Sequence, residues 1–217
     1  MSEAQRYFKQ GLDLYNKNHD REAIEAFLQA IRINPDYAEA YFRLGLAYAV
    51  VDQKEEAKEA HRKAIEAYKK FVRSNPNDAA AHFNMGEAYS RLSQYDEAVK
   101  AYKQALRLQP DDSDMYYELG VAHIKLAQYQ EAVAALEKAS EIDADNHRAS
   151  DELEKARQGL KRREAILKQQ EEALRRQEEE ALQQQNSNLA STSPSPAASP
   201  SPLMSPKPSA TPIRQAP

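Results

Sequence analysis

An all-α solenoid of four stacked helix-turn-helix units is the fold this sequence predicts, and three observations predict it. Gly11, Gly45, Gly86 and Gly120, four of the five glycines, stand 34, 41 and 34 residues apart. Alanines recur twelve and nineteen residues after each of them: Ala23 and Ala30, Ala57 and Ala64, Ala98 and Ala105, Ala132 and Ala139. Pro35, Pro76 and Pro110, the only prolines before residue 194, follow the first three glycines at matching offsets once seven surplus residues in the second unit are allowed for. A period near 34 means one supersecondary unit copied along the chain, in which no unit buries its apolar face alone and each needs its neighbours.

Each unit reads as two helices. The glycine lies in the first and the alanines in the second, where small side chains let two axes approach most closely within the usual range of roughly 8 to 10 Å. Four residues before each glycine stand Tyr7, Tyr41, His82 and Tyr116, and sixteen after it Phe27, His61, Tyr102 and Leu136. These are core knobs at helical spacing. The prolines sit where a second helix ends and the next unit begins, since proline cannot continue a helix but starts one well. Asn34-Pro35-Asp36, Asn75-Pro76-Asn77 and Gln109-Pro110-Asp111 are read as turns, their acidic or amide residues favourable at a helix start. The fourth unit has Ala144 at the proline position. Eight antiparallel helices follow, in units 4–37, 38–78, 79–112 and 113–146.

Gly45 to Ala57 keeps the common spacing, so the seven surplus residues fall between Ala57 and Pro76, inside the second helix. Seven residues are about two turns, roughly 10 Å, and leave the apolar stripe on one face. Ala57, His61 and Ala64 fill the packing positions read forwards; Ala64, Tyr68 and Phe71 fill them read back from Pro76. The spacing predicts one helix of about 20 residues between Asp52 and Arg73. Its front half packs on its own partner, its rear half receives the third unit, and units 3 and 4 shift against units 1 and 2.

With these glycine, alanine, aromatic and proline positions filled in register over residues 4–146, the chain resembles the tetratricopeptide repeat (TPR) family. The resemblance implies a right-handed α-solenoid that binds other proteins and has no enzymatic activity of its own. It departs from the family pattern at Gln10, where leucine is usual, at His61 and His82, which replace aromatics, and in the longer second unit. In the family the first helices line a concave groove, and offsets from each glycine name its exposed stripe. Three before are Phe8, Phe42, Phe83 and Tyr117, an aromatic ladder; one after are Leu12, Leu46, Glu87 and Val121; four after are Tyr15, Ala49, Ser90 and Ile124. With Arg91 and Lys125 the second half is mixed, while the first half is apolar. The expected guest is a short apolar peptide or an amphipathic helix. The alternative is that the ladder packs within the protein or is covered by the chain's own C-terminal helix.

Two family specialisations are excluded by residue type. A carboxylate clamp needs lysine and asparagine flanking the first glycine, asparagine in the next repeat, and lysine and arginine in the third. One frame offers Phe8, Leu12, Arg43, Ala80 and Asn84, the other Phe42, Leu46, Asn84, Asp114 and Glu118. An asparagine ladder needs Asn two before every glycine, where this chain has Lys9, Arg43, Asn84 and Glu118.

Composition narrows the function further. The chain has 217 residues, no cysteine and a formal net charge of -4. Counted along the sequence, residues 1–146 carry 19 basic and 25 acidic side chains. Such a block argues against nucleic acid, which needs a basic stripe to displace condensed counterions. Without cysteine there is no disulfide, thiolate metal site or cysteine nucleophile. The apolar run Leu46–Val51 is far too short to cross a bilayer, and the residues after Met1 do not resemble a secretory signal. The expectation is a cytoplasmic protein without membrane contact, cofactor or metal. His19, His61, His82, His123 and His147 show no ligand spacing, and three of them fill packing positions. Asp143-Ala-Asp145-Asn-His147 lacks the glycine of a calcium loop. No phosphate cradle, nucleophile elbow or paired-acid arrangement appears.

Residues 147–185 read as a charged helix, roughly 58 Å long if continuous. Ala149, Leu153, Ala156 and Leu160 are expected to cap unit 4, and the rest to project. Leu153, Leu160, Leu167 and Leu174 recur every seven residues, but their companions Arg157, Glu164, Glu171 and Glu178 are charged, so a dimer through this coiled-coil seam is the lesser reading beside a monomer. Asp151 with Lys155, Glu164 with Lys168, Glu171 with Arg175 and Glu172 with Arg176 favour a solvated single helix. Residues 186–217 hold eight of the eleven prolines among Ser, Thr and Ala and are expected to be disordered. Ser193, Ser195, Ser199, Ser201, Ser205 and Thr211 each precede proline, which fits either proline-directed phosphorylation or an unmodified spacer. The combined reading is a protein–protein adaptor; an accessory arm presenting substrate to a partner enzyme and a self-assembling structural protein are the alternatives.

Overall fold

A computed structural model describes residues 1–191. Among the described residues there are nine helices and no strand. The first eight pair as four hairpins: α1 (Glu3–Asn16) with α2 (Asp20–Ile33), α3 (Ala38–Val50) with α4 (Lys54–Ser74), α5 (Ala79–Arg91) with α6 (Tyr95–Leu108), and α7 (Ser113–Lys125) with α8 (Tyr129–Ile142). Each second helix also packs on the first helix of the next hairpin, while α1, α3, α5 and α7 touch one another in sequence and form one wall. This is an α-solenoid of four repeats. α9 (His147–Ser191) follows. The chain divides into two compact units, Met1–Ile166 and the part from Leu167 onward.

Each glycine is the seat for the residue sixteen positions on. A Cβ on Gly11 would stand 2.6 Å from the Phe27 ring, on Gly86 2.6 Å from Tyr102 and on Gly120 2.5 Å from Leu136. Phe27, Tyr102 and Leu136 are fully buried as a result, each worth about 1.5 to 3 kcal/mol of apolar burial. The alanines at twelve and nineteen after each glycine are buried too.

The turn inside each hairpin is made identically. Asn18, Asp52, Ser93 and Ala127, each seven residues after its glycine, have φ of 60°, 60°, 60° and 55°. The next residue's N–H then reaches back five positions: His19 to the Leu14 carbonyl, Gln53 to Tyr48, Gln94 to Tyr89 and Gln128 to His123, at 2.9–3.0 Å. That is the six-to-one bond that satisfies a helix's last carbonyls when one left-handed residue ends it. Turns between hairpins hold the prolines, and at two of the three a carboxylate caps the helix that follows: Asp78 accepts from the Ala81 N–H at 2.8 Å and Asp112 from the Met115 N–H at 2.9 Å, whereas α3 has no side-chain cap. Ser2 and Gln5 form a reciprocal capping box at the start of α1.

α4 is a single 21-residue helix. Its Ala60 belongs to the core built from α1, α2 and α3, whereas Ala64, Ile65, Ala67 and Tyr68 belong to the core that continues through α5 to α8. The seven extra residues therefore extend one rod across two packing centres.

The beginning of α9 closes the last repeat. Ala149 and Ala156 are fully buried against Ala132, Leu136 and Ala139, and Gly159 lies under the Tyr129 ring. Arg157 pairs with Glu137 at 2.8 Å, and Arg163 donates to the Ala127 carbonyl at 3.3 Å. Three sequence expectations are corrected here. The helix continues six residues past 185, so Asn186–Ser191 are helical; proline, which would end it, first returns at Pro194. Lys155 takes Glu152 at 2.6 Å in place of Asp151, and Arg175 takes Glu179 at 3.2 Å in place of Glu171, since neighbours three and four away compete on one helix surface. In the part from Leu167 onward, Leu167, Leu174 and Leu182 are exposed. The proline-directed sites Ser193, Ser195, Ser199, Ser201, Ser205 and Thr211, and the remainder of the expected disordered tail, lie outside the described residues.

Candidate functional site: the inner wall

Side chains on the first helices lean toward the helix N-terminus, so a residue three before the glycine lies over the preceding turn. That lean decides the fate of the aromatic ladder. The Phe8 ring sits 5.8 Å from Phe27 and 4.9 Å from Tyr37, Phe42 is 5.6 Å from the His61 ring, and Phe83 is 5.6 Å from Tyr102. Phe8 and Phe42 are only 7% and 1% exposed. The expectation that they line an open groove is corrected: they pack within and between hairpins, because the knob that fills each glycine seat leaves its ring available to them. Phe83 and Tyr117 remain half-buried. In repeat 4 the knob is Leu136, and the guanidinium of Arg148, from α9, lies over the Tyr117 ring at 4.2 Å.

The rest of the predicted stripe divides by exposure. Leu12, Tyr15, Leu46, Glu87, Val121 and Ile124 are half-buried, and Arg91 and Lys125 are exposed. Ile124 and Tyr117 pack beside the cluster that α9 completes. Apolar surface thus persists at both ends of the wall, on α1 and α3 and again on α7.

Between those ends runs a polar band, of which the predicted stripe held only Glu87 and Arg91. It comprises Glu39 and Arg43 on α3, Asn84, Glu87 and Arg91 on α5, and Asp114 and Glu118 on α7, joined by Arg148. Burial pushes the Glu39 carboxyl above its ordinary range against the pull of Arg43. Burial and then Glu118 push Glu87 up, against Arg91 and Arg43. Burial also raises Glu118, opposed by Arg148 and Arg91; Arg148 approaches it at 3.7 Å. Beneath the band His61 is 3% exposed, and burial, with Arg91 adding to it, lowers its imidazole to about 4. It is a neutral ring in the core. Four buried polar atoms in this region have no hydrogen-bond partner: Arg43 Nε, His61 Nδ1, Tyr68 Oη and Tyr102 Oη. Asn84 lies beside the Tyr68 hydroxyl and Ser90 beside that of Tyr102, close enough to act on them but without the geometry of a full hydrogen bond. The signal in the sequence was the i, i+4 spacing of Glu39 with Arg43, Glu87 with Arg91 and Asp114 with Glu118, on the same face as the predicted stripe.

The arrangement offers hydrogen bonds, charge and aliphatic surface. Among the described residues no three His, Asp or Glu side chains are placed to hold a metal ion, and no helix is long and apolar enough to cross a membrane. His123 is buried and shares a 2.6 Å hydrogen bond with Gln128 in the α7–α8 turn.

Comparison with known proteins agrees with this architecture. Models described as tetratricopeptide repeat match residues 83–147 and 36–111, and one described as TPR repeat matches 6–50. An uncharacterized protein of Methanocaldococcus jannaschii, MJ0572, is 37% identical over 59 residues, 27% of this chain and 69% of that protein. A crystal structure of MamA superposes with a TM-score of 0.55 at 26% identity, over 82% of this chain and 93% of that one. The APC/C hetero-tetramer Cut9-Hcn1 shares the fold, with a TM-score of 0.57 at 21% identity over 70% of this chain and 29% of that one.

Proposed function

Because this chain belongs to the tetratricopeptide repeat family, we propose that it is a non-enzymatic adaptor that holds a protein or peptide segment along its inner wall. The observation that carries the reading is the surface of that wall. Leu12, Tyr15 and Leu46 at one end and Val121 and Ile124 at the other are part-exposed aliphatic or aromatic side chains in a row of touching helices, with half-buried carboxylates between them. A helix or extended peptide with apolar residues at its ends and hydrogen-bonding groups between them complements this order. The guest is therefore less purely apolar than the sequence stripe implies. Half-buried carboxylates without full pairing are costly in the free protein, so a segment that pairs with them gains affinity from that relief. A net-acidic repeat block speaks against nucleic acid, and the absence of cysteine fits a cytoplasmic setting.

The test uses peptides selected by phage display on the full chain. Leu46→Asp and Val121→Asp place charge on part-exposed inner-wall positions without emptying the core, and each is expected to weaken a selected peptide about tenfold or more. Peptides that bind both variants as tightly as the parent would remove the wall from the account. Phe42→Ala is unsuitable, since that ring is core.

A second reading is favoured by Leu167, Leu174 and Leu182, which are 49%, 57% and 58% exposed on a charged helix: association of two copies through residues 167–191. Light scattering over a range of concentrations decides it, and a constant monomer mass excludes the dimer.

A further inference from the structure

Twenty-three residues after its glycine, each ordinary repeat has already ended its second helix: Asn34, Gln109 and Asp143 are the capping residues of α2, α6 and α8. In repeat 2 the same position is Tyr68, in the middle of α4, and Phe71 follows one turn later. The extension thus carries two rings past the end of the standard repeat, where they meet the starts of α1, α3 and α5 and line a cavity of about 330 Å³. Tyr68 is 4% exposed, yet its hydroxyl, which faces Glu39, has only the Asn84 side chain beside it and makes no hydrogen bond of good geometry. Phe71, by contrast, is 42% exposed.

The charge of this cavity has one sign. Glu39, Asp36 and Asp78 line it, and no lysine, arginine or histidine does. Asp36 is engaged by Lys70 at 2.7 Å and Asp78 by the α5 backbone. Glu39, facing only Arg43 on its own helix among basic groups that act on it, is held above its ordinary range by burial. Three helix starts would by themselves attract an anion, but Ser2 and Asp78 each already take one backbone donor at α1 and α5, and Asp78 and Glu39 place negative charge at the starts of α5 and α3.

We propose that this cavity takes the guanidinium of an arginine from a partner's peptide, with Glu39 as its carboxylate, the Tyr68 hydroxyl and Asn84 as hydrogen-bonding groups, and the Phe71 ring as an aromatic face. Guanidinium suits the set because it is planar, donates five N–H groups to carboxylate and hydroxyl oxygens, and stacks on rings. Arginine also fits the Tyr68 hydroxyl, beside which the protein places only the Asn84 amide as a side-chain donor, leaving an acceptor lone pair over. The inference deepens the adaptor reading and rests on it, since the cavity adds an anchor to a segment lying on the inner wall.

The test is a titration of the ¹⁵N-labelled full chain with N-acetyl-arginine methylamide, followed by NMR. Saturable shifts are expected at the backbone amides of Glu39 and Ala81 and at the Asn84 side-chain amide. Glu39→Gln is expected to weaken the probe about tenfold and Tyr68→Phe about threefold, from the loss of a charge-assisted and a neutral hydrogen bond respectively. Both substitutions keep the side chain's shape, and thermal unfolding of each variant checks that the fold persists. The inference is overturned if the probe produces no saturable shift at these positions, if N-acetyl-norleucine methylamide produces the same shifts, if inorganic phosphate titrates there in its place, or if both variants bind as the parent does. A chain that fails this titration but still loses a selected peptide on Leu46→Asp retains the inner-wall function without the arginine anchor.

Discussion

The imidazole of His61 lies flat against Gly45: a Cβ on that glycine would come within 2.5 Å of its Cε1 and 2.7 Å of its Nδ1. Gly45→Ala should therefore destabilise the protein even though alanine is the better helix former. Overpacking a filled core costs about 1 to 3 kcal/mol, of which helix propensity returns about 1 kcal/mol. Urea unfolding is expected to show a net loss of up to about 2 kcal/mol. A variant as stable as the parent would mean that the ring swings aside at no cost.

His61 also gives the fold a pH dependence. Its folded-state value is about 4 against an ordinary 6.5. Above 6.5 the ring is neutral in both states and contributes nothing. Between about 6.5 and about 4 the unfolded chain binds a proton that the folded chain does not, so stability falls as pH falls, by at most about 1.4 kcal/mol per unit. It levels off below about 4. The Phe42 ring and Gly45 pack on the imidazole, and Arg91 is the charge that reaches it. Glu39, Glu87 and Glu118 act in the opposite sense, their raised carboxyls regaining stability as pH falls, but they are common to parent and variant. Comparing His61→Phe with the parent isolates the histidine: the variant should gain about 2 kcal/mol relative to the parent between pH 7.5 and pH 5. An unchanged difference between those pH values would count against a depressed His61.

Ala127 occupies the left-handed turn position of repeat 4 with φ of 55°. A β-carbon there costs roughly 1 to 2 kcal/mol, and glycine returns about 0.4 to 1 kcal/mol of that as unfolded-state entropy. Ala127→Gly is expected to stabilise the protein by about 0.5 to 1 kcal/mol in thermal or urea unfolding. Loss of stability would contradict the geometry of this turn.

Gly159 is the one glycine outside the repeat period, and its place under Tyr129 couples α9 to repeat 4. Gly159→Ala should loosen that contact at a cost of about 1 to 3 kcal/mol. Hydrogen exchange is the direct readout, with faster exchange expected in residues 147–166 and little change in α1 to α4. Uniform behaviour along the chain would separate the cap from this glycine.

The architecture was legible because it depends on small residues and prolines, whose effects are local. Gly11, Gly45, Gly86 and Gly120 set the hairpin crossings wherever they stand. The wall was half legible. Periodicity placed Phe8 and Phe42 on the correct helix face, but it does not measure how far a ring reaches back along the helix, and Phe27 and His61 lay waiting for those rings. Glu39 and Glu87 show the converse: their spacing to Arg43 and Arg91 is that of any solvated helix face. What distinguishes them is burial by a neighbouring helix, which is a property of the stack and not of either helix alone.

α4 gives its front to one packing centre and its rear to the other, along an unbroken ladder of main-chain hydrogen bonds. A repeat array with ordinary short joints can fray from either end, one hairpin at a time. Here a splint crosses the middle joint. Melting the pair of hairpins on one side would strip half the support from a rod that the other side needs, so the two pairs are expected to come apart together, in one transition instead of two.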